Sequence, residues 1–327
     1  MNVEEIAHEV VDAESRIRPH VRETPLDRAP WLDSATGAEA HLKLEIVQLS
    51  GSFKLRGAMN KLLALSKTER ERGIVTASSG NHAAAVAFGL DRLGARGVIY
   101  LPSTVSKTKL EYLEAYGMEL RFVGPDSVEG ELEAQRAATR ENLVYVSPYN
   151  DPQIIGGQGT VAVELERQLE AFDGVFVPVG GGGLVAGIAG YLKARRPSVR
   201  IYGCQPERSR VMYESVRAGR LLDLPSEPTL ADGTAGGLDP GTITFPICRS
   251  VVDEWILLSE DEIASAMRLL LEKHSILVEG SAALSVAAFL KCASALRGKT
   301  VVLVLTGKKV SLDTLRRILD ESRSPSA

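Results

Sequence analysis

The sequence has little cysteine, few aromatic residues and no long apolar run. Its 327 residues include three cysteines and are 5% aromatic. The cysteines, Cys204, Cys248 and Cys292, lie far apart and match neither a disulfide framework nor a zinc site. No apolar stretch approaches the roughly 20 residues of a membrane span, and the first five residues lack the basic and apolar regions of a signal peptide. We therefore expect a cytoplasmic protein with no membrane partner.

The chain also has no excess of positive charge. It carries 38 lysines and arginines against 42 aspartates and glutamates, which gives a net charge of -4. This balance argues against a nucleic-acid partner. The composition, 44% hydrophobic and 24% charged, is that of a globular protein, and the length is sufficient for two domains.

Short β-branched runs alternate with helical patterns through most of the chain. Helices are predicted over Val3–Ile17, Asn81–Leu93 and Gly159–Ala171, and a capping box at Ser259 predicts another. Such alternation is typical of α/β proteins, in which parallel strands are covered by helices on both faces. The predicted strands are Ala40–Leu44, Gly73–Thr76, Gly97–Leu101, Glu119–Val123, Leu143–Val146, Val175–Val179, Val199–Cys204 and Thr300–Leu305.

A lysine lies in the first turn of one predicted amphipathic helix. After Lys54, apolar residues follow at the three- and four-residue intervals of a helix, with Ser52 as the expected N-cap. Because a helix N-terminus is partly positive and Arg56 adds a second cation, we expect a lowered pKa for Lys54. A neutral amine suits a Schiff-base lysine. The simpler alternative is a turn followed by a basic surface helix.

A polar loop, Ser78-Ser79-Gly80-Asn81-His82, joins a predicted strand to an alanine-rich helix. Hydroxyl, amide and backbone N–H groups at a helix N-terminus form a favourable anion site. Serine and asparagine are also common helix caps, so a purely structural role is the alternative. His82 by itself is better explained as a capping or packing residue than as a catalytic base.

Four consecutive glycines, Gly180 to Gly183, follow a second predicted strand. Without side chains, their N–H groups can surround a phosphate dianion at the start of a helix. The same residues fit the relaxed dinucleotide pattern Gly181-x-Gly183-x-x-Ala186, which would indicate a nicotinamide-dependent oxidoreductase. That alternative requires an acidic residue at the end of the next strand, but Glu207 comes late and follows a proline.

A third loop, Thr306-Gly307-Lys308-Lys309, follows the last predicted strand. Ligands of open α/β sheets bind at the carboxyl ends of the strands. Thr306 would present a neutral hydroxyl there, although a simple turn is the default interpretation of this loop.

Taken together, these stretches resemble the fold-type-II pyridoxal-phosphate enzymes, specifically the branch of serine/threonine dehydratases and serine racemases. The resemblance is carried by Ser52–Ala58, Ser78–His82 and Gly180–Leu184, and Gly157–Thr160 and Glu279–Ala282 also fit it. It covers nearly the whole chain. The fold it implies is tryptophan-synthase-β-like, with two open, mostly parallel sheets. A small domain would span residues 73–149, and a large cofactor-binding domain residues 1–72 and 150–327.

The resemblance implies a role for each residue of these motifs. Lys54 would hold pyridoxal 5'-phosphate as a Schiff base and act as the base at Cα, while Phe53 would pack against the pyridine ring. Asn81 would hydrogen-bond the ring's 3-hydroxyl, and Thr306 would face the ring nitrogen. The predicted phosphate loop is Gly180, Gly181, Gly182 and Gly183, with Leu184 as a further cofactor contact.

The substrate carboxylate would lie on Ser78, Ser79, Gly80 and His82, with Ser79 placed where racemases keep a second base. The implied reaction is loss of water from a β-hydroxy amino acid, threonine or serine, giving a 2-oxo acid and ammonia. A hydroxyl beside the ring nitrogen favours prompt loss of a β-hydroxyl over transamination, because it supplies no strong charge. The alternatives are a racemase or a β-replacement enzyme. The implied partner is a small amino-acid substrate, and the implied assembly is a homodimer.

Three residues, in two segments, depart from the family pattern. Ile46 replaces the asparagine usual in the segment before the lysine motif, and Lys308 and Lys309 replace a glycine and an asparagine after Thr306. These changes leave the exact amino-acid substrate open.

The sequence also predicts no tightly bound divalent metal. The family pattern places a glutamate before a proline, a backbone carbonyl four residues later and an aspartate two residues beyond. Aligned on Pro206, this chain has Gln205, Ser209 and Val211 instead. Hard cations bind better as carboxylates accumulate, so we expect activity to survive dialysis against EDTA. Activity that disappears and returns with added Mg²⁺ would contradict this prediction; Glu207 is the residue that could then act as a substitute ligand.

Overall fold

The structure is a computed structural model that describes residues 1–103, 105, 107–124 and 127–320. Within those residues the chain forms fourteen α-helices and ten strands, and no helix is both long and apolar enough to cross a membrane. The strands are β1 (Leu26–Arg28), β2 (Glu39–Leu44), β3 (Ile74–Ala77), β4 (Gly97–Pro102), β5 (Glu119–Val123), β6 (Val144–Tyr145), β7 (Gly174–Pro178), β8 (Arg200–Pro206), β9 (Glu254–Leu258) and β10 (Thr300–Leu305).

The helices are α1 (Val3–Ile17), α2 (Pro30–Thr36), α3 (Lys54–Ala64), α4 (Lys67–Arg72), α5 (Asn81–Leu93), α6 (Lys107–Glu114), α7 (Ser127–Arg140), α8 (Pro152–Gln168), α9 (Gly183–Arg195), α10 (Val211–Ala218), α11 (Thr244–Val251), α12 (Glu260–His274), α13 (Gly280–Lys291) and α14 (Leu312–Asp320).

The strands form two open sheets, which confirms the predicted fold class. The larger sheet has the order β1-β2-β10-β7-β8-β9 and is parallel except for the pairing of β1 with β2. The smaller sheet, β5-β4-β3-β6, is entirely parallel. Strand β10 lies between β2 and β7, although more than 120 residues separate β7 from β10. Between β7 and β10 the strand order therefore reverses, and a crevice at such a point is where open α/β sheets bind ligands.

Both faces of the larger sheet are covered. Val301, Leu303 and Leu305 of β10 pack in one apolar cluster with residues of α12 and α13. Val302 and Val304 pack in a second cluster, with residues of α1, α8 and α9. Alternate side chains point to opposite faces of a strand, so a strand buried on both sides must be apolar throughout. The predicted buried strand is therefore confirmed.

The predicted division into two domains corresponds in sequence to the division of the strands into two sheets. The strands of the smaller sheet lie between residues 74 and 145, and those of the larger sheet lie outside this range. The faces of the smaller sheet are covered by α7 on one side and by α5 and α6 on the other. The boundary itself, at residues 73 and 149, remains a prediction.

Several predicted element ends need correction. Lys54 lies in the first turn of α3, as predicted, but the helix begins at Lys54 with Phe53 as its N-cap and no side chain caps it, so Ser52 is not the cap. Helix α8 begins at Pro152, seven residues before the predicted start, because Asp151 caps it by accepting from two backbone N–H groups. The capping box of α12 is present as predicted. Strand β9 was not predicted.

Glycines allow the helices behind the larger sheet to pack closely. A Cβ on Gly157 of α8 would lie 2.6 Å from the backbone of α3, and one on Gly159 would lie 2.9 Å from the Gly187 carbonyl of α9. The Gly57 N–H donates to Gln158 Oε1 (3.2 Å). The Gly157–Thr160 motif therefore serves helix packing, and it holds the helix that begins with Lys54 against α8.

A buried network of charges reinforces the same contact. The Arg56 guanidinium is fully buried and donates to both oxygens of Glu45 (2.8 and 2.7 Å) and of Glu164 (2.6 and 2.9 Å). Lys43 Nζ donates to Glu164 at 2.6 Å. Burial alone would raise the pKa of Glu164, but the charges and hydrogen bonds of Arg56 and Lys43 outweigh it and lower that pKa to about 2. Arg56 is thus a structural cation, not a free charge beside Lys54.

We expect Arg56→Met to destabilise the fold strongly, because it leaves two buried carboxylates without their shared cation. Removing one partner of a buried pair costs about 3–5 kcal/mol. Urea unfolding of the full chain measures the loss. The matched control is Arg316→Met, which breaks an exposed pair with Asp313 and should change the stability by about 0.5 kcal/mol or less. Equal midpoints for the two variants would contradict the prediction.

Candidate active site

The predicted functional loops meet at the carboxyl ends of strands from both sheets. They follow β3, β7 and β10, and a loop that was not predicted to be functional, residues 147–150, follows β6. The segment before α3 joins them through the end of β10. There Phe53 N–H donates to the Thr306 carbonyl (3.0 Å), Lys308 N–H donates to the Gly51 carbonyl (3.2 Å), and Ser52 forms an isolated antiparallel bridge with Gly307. Lys54 and Thr306 are therefore held close together.

Lys54 is the first residue of α3 and is only partly exposed. Its Nζ donates to the Pro148 carbonyl (2.7 Å) and lies 5.4 Å from the centre of the Phe53 ring. Burial lowers the pKa of Lys54 to about 8, while the charges of Glu131 and Glu279 act in the opposite direction. The expected direction was right, but the cause is loss of solvent and not the charge of Arg56.

The glycine loop lies between β7 and α9, as predicted. Gly182 has φ +87°, a left-handed conformation that favours glycine. Among the described residues, the N–H groups of residues 181–184 donate to no protein acceptor, whereas the Gly181 carbonyl accepts from Thr244 Oγ1 (2.7 Å). Free N–H groups at the start of a thirteen-residue helix form a site for a phosphate or another anion.

Tyr149, for which no role was predicted, packs against this loop. A Cβ on Gly181 would overlap the Tyr149 ring, and one on Gly183 would lie 3.1 Å from the Tyr149 backbone. The Tyr149 hydroxyl accepts from the Asp239 N–H (2.6 Å), and the Asn150 carbonyl oxygen of the side chain accepts from Ile243 N–H (3.0 Å). The polar residues after β6 were the available sequence signal for this contact, but they did not indicate that the partner would be the glycine loop.

The loop after β3 supplies a second set of unpaired N–H groups. Ser78, Ser79 and Asn81 are half-buried, and the Gly80 N–H donates to Ser78 Oγ (3.1 Å). Asn81 begins α5, with Gly80 as the N-cap. Within the described residues, the N–H groups of Ser79 and Asn81 have no protein acceptor. This arrangement can bind a carboxylate; that Ser78, Ser79 and Gly80 hold the substrate carboxylate stays a prediction.

The His82 side chain has a structural role. It is buried, and its Nε2 lies 3.0 Å from Thr76 Oγ1 and 3.2 Å from the Val146 carbonyl. Burial and the charge of Lys54 lower the pKa of His82 to about 3, so the ring is neutral near pH 7. A role for His82 in substrate binding therefore rests on its backbone N–H.

Unsatisfied polar atoms collect where the end of β10 meets α5 and α13. Thr306 Oγ1, Asn81 Oδ1 and Ser281 Oγ are buried without a hydrogen-bond partner among the described residues. Asn81 Nδ2 donates to both carboxylate oxygens of Glu279, each at 2.9 Å. Glu279 belongs to a motif that fits the family, but no role was predicted for it. Buried polar atoms are rarely left unpaired, so this cluster is suited to a polar ligand.

The residue aligned with the family's metal-binding glutamate, Gln205, forms hydrogen bonds within the protein. Gln205 is fully buried; its Nε2 donates to the Val179 carbonyl (3.1 Å), and its Oε1 accepts from the Tyr213 N–H (2.8 Å). In the part of the chain that the structure describes, no group of three or more histidine, cysteine, aspartate or glutamate side chains is arranged to hold a metal. Independence from metal remains a prediction for the chelator experiment.

Comparison with known proteins gives one consistent result. A family model described as pyridoxal-phosphate dependent enzyme matches residues 17–307. The chain is 37% identical to the L-threonine ammonia-lyase of Thermotoga maritima over 96% of this chain and 78% of that protein. Its structure matches maize serine racemase (TM-score 0.90, 33% identity, 97% of both chains). It also matches the processed threonine deaminase isoform 2 of Solanum lycopersicum (TM-score 0.93, 31% identity, 98% of this chain and 89% of that one).

The role of the glycine loop beside Tyr149 can be tested with pyridoxal phosphate as the probe. In Gly181→Ala the new methyl group overlaps the Tyr149 ring, so the loop or the ring must move. We expect about tenfold weaker binding or worse, the size of an overpacking penalty, in a spectroscopic titration of the full chain. The matched control is Gly237→Ala, whose Cβ would meet nothing within 4 Å and should leave binding unchanged. Equal affinities would show that the loop is not the phosphate site.

Proposed function

Since this chain belongs to the family of pyridoxal-phosphate dependent enzymes, we propose that it catalyses the α,β-elimination of water from threonine or serine, giving a 2-oxo acid and ammonia. The observation that carries this proposal is Lys54, an amine of lowered pKa whose Nζ donates to the Pro148 carbonyl and whose neighbour Phe53 is hydrogen-bonded to the end of β10. The relatives named for threonine ammonia-lyase and threonine deaminase support the same substrate class. Family membership also replaces the alternative of a nicotinamide-dependent oxidoreductase.

The residues present fit pyridoxal phosphate. The free N–H groups of the glycine loop suit its phosphate, and the Lys54 amine suits its aldehyde. The unpartnered Thr306 Oγ1 and the Asn81 amide suit the ring nitrogen and the 3-hydroxyl. We propose Phe53 as the ring's packing neighbour and Leu184 as a further contact at the start of α9.

When bound, the cofactor acts as an electron sink for the bond broken at the substrate Cα. The protein supplies the rest. The N–H groups after β3 hold the substrate carboxylate, and Lys54 removes the Cα proton. Its lowered pKa suits this role, because a base is most effective when its pKa lies near the working pH. Thr306 contributes a neutral hydroxyl, so it cannot neutralise a positive charge on the ring as a carboxylate would.

Racemisation is the second candidate, and Ser79 is the residue that favours it. Ser79 is half-buried in the loop that we propose binds the substrate carboxylate, and the chain is structurally similar to a serine racemase. A racemase needs a second proton donor opposite the lysine, and Ser79 is our candidate. Release of ammonia without formation of the D-enantiomer would exclude this activity.

Three features of the organisation remain proposals. We propose that residues 73–149 form a small domain against the remaining large domain. We also propose a homodimer, which sedimentation equilibrium would test. A cytoplasmic location is proposed from the sequence alone.

We expect Thr306→Asp to raise transamination relative to elimination. A carboxylate beside the ring nitrogen supplies the negative charge that the hydroxyl lacks, and it favours positive charge on the ring. Ammonia and 2-oxo acid are measured with threonine and serine, and the pyridoxamine form of the cofactor is followed by its spectrum.

Two variants serve as controls for this experiment. Thr306→Ser keeps the hydroxyl and should behave like the wild type, whereas Lys54→Ala should lose both the visible absorbance band and the activity. If threonine and serine are inert but another β-substituted amino acid reacts, the substrate assignment is wrong although the cofactor assignment stands.

A further inference from the structure

Glu279 is a buried carboxyl whose position is unusual for a residue at the start of a helix. It is the N-cap residue of α13, yet its side chain makes no cap hydrogen bond. It is 4% exposed, and both of its oxygens accept from Asn81 Nδ2 at 2.9 Å. The carboxyl therefore serves a residue 198 positions away and not its own helix.

The surrounding backbone keeps this pair together. The Glu279 N–H donates to the Gly307 carbonyl (3.2 Å). A Cβ on Gly307 would lie 2.6 Å from Glu279 Oε1 and 2.9 Å from Asn81 Nδ2. Glycine at position 307 thus leaves just enough room for the carboxyl and the amide, and Thr306 immediately precedes it.

The chemistry of the two groups determines how the amide is turned. An ionised carboxylate only accepts hydrogen bonds, whereas an amide has a donor end and an acceptor end. Asn81 must therefore turn Nδ2 toward Glu279, which leaves Oδ1 buried without a partner among the described residues. The amide cannot rotate by 180° without bringing two acceptors together.

We propose that Glu279 is a positioning residue that acts through Asn81 and sets the orientation of its amide toward the cofactor. This inference rests on the proposed function, because it takes Asn81 as a cofactor contact. Glu279 itself is not a catalytic residue in this scheme. Its contribution should exist only while its carboxyl is ionised, since a protonated carboxyl can donate as well as accept and then tolerates either orientation.

The groups that face Glu279 place this change near neutral pH. Burial raises the pKa of Glu279 to about 7, the Asn81 hydrogen bond opposes that rise, and the charge of Asp232 adds to it. The backbone N–H of Lys309 and the charge of its side chain lower the pKa of Glu279 in part. Lys54 also interacts with the Glu279 charge. The positioning effect should therefore be present above pH 7 and lost as the pH falls below it.

A double-mutant cycle tests the proposal through cofactor affinity and does not depend on activity. The variants are Glu279→Gln, Asn81→Ala and the two combined, each titrated with pyridoxal phosphate at pH 8.5 and at pH 5.5. Glutamine has the shape of the carboxyl and, like its protonated form, both donates and accepts. At pH 8.5 we expect Glu279→Gln to weaken binding about tenfold, the size of a hydrogen bond to a charged group. In the Asn81→Ala background, and at pH 5.5, the same change should have no effect.

Three other results would each overturn the inference. Equal losses from Glu279→Gln with and without Asn81 would show that Glu279 acts independently of the amide. An equal loss at both pH values would show that the charge is not involved, and no loss at all would remove the role. The control Glu254→Gln changes an exposed carboxyl of β9 and should bind like the wild type, and urea midpoints check that each variant is folded. A wild-type chain that binds no pyridoxal phosphate would defeat the proposed function together with this inference, whereas an additive cycle defeats the inference alone.

Discussion

The position of the lysine amine depends on the buried pairing of Arg56 with Glu45 and Glu164. All three side chains are inaccessible to solvent, so none of their charges can be satisfied by water if the contact opens. A buried ion pair adds little net stability over an apolar contact, but separating its partners is costly. Arg56 lies two residues after Lys54 on α3. If the helix slid or rotated against α8, it would separate Arg56 from its carboxylates and incur that free-energy cost. The network therefore acts as a positional constraint on the amine.

The site combines this rigid lysine with two anion-binding loops that use backbone atoms. The loop before α9 and the loop before α5 each present N–H groups without a protein acceptor in the described residues. Backbone donors held at strand ends need little reorganisation when an anion binds, and they carry no charge that would raise the cost of burial. Besides Lys309, whose charge acts on Glu279, Lys54 brings a positive charge to the site. Burial keeps its pKa near 8, so a substantial fraction is neutral at physiological pH.

The opposite end of the site is organised around neutral and weakly acidic groups. Thr306 presents a hydroxyl without a partner, and Glu279 is held where its pKa is about 7. Thr306 adds no charge near the predicted position of the cofactor ring, whereas Glu279 adds a negative charge that depends on pH. Asn81 links them to the carboxylate-binding loop, because it begins α5 and also contacts Glu279. One short helix start thereby connects the substrate side of the site with the ring side.

The sequence by itself determined the elements whose patterns are local. The apolar run of β10, the extent of α5 and the position of Lys54 in the first turn of α3 were all predicted. So was the strand–loop–helix context of the glycines, because side-chain periodicity and glycine runs act over a few neighbouring residues. Only the tertiary structure decided which distant residues meet. Glu164 lies 108 residues from Arg56 and Glu279 lies 198 from Asn81, and Tyr149 closes on Gly181 only because their strands end at the same place. No local pattern encodes such contacts, since they follow from the order of strands in the sheets. The pKa of Lys54 depends on burial produced by these same contacts, which is why its direction could be predicted but its cause could not.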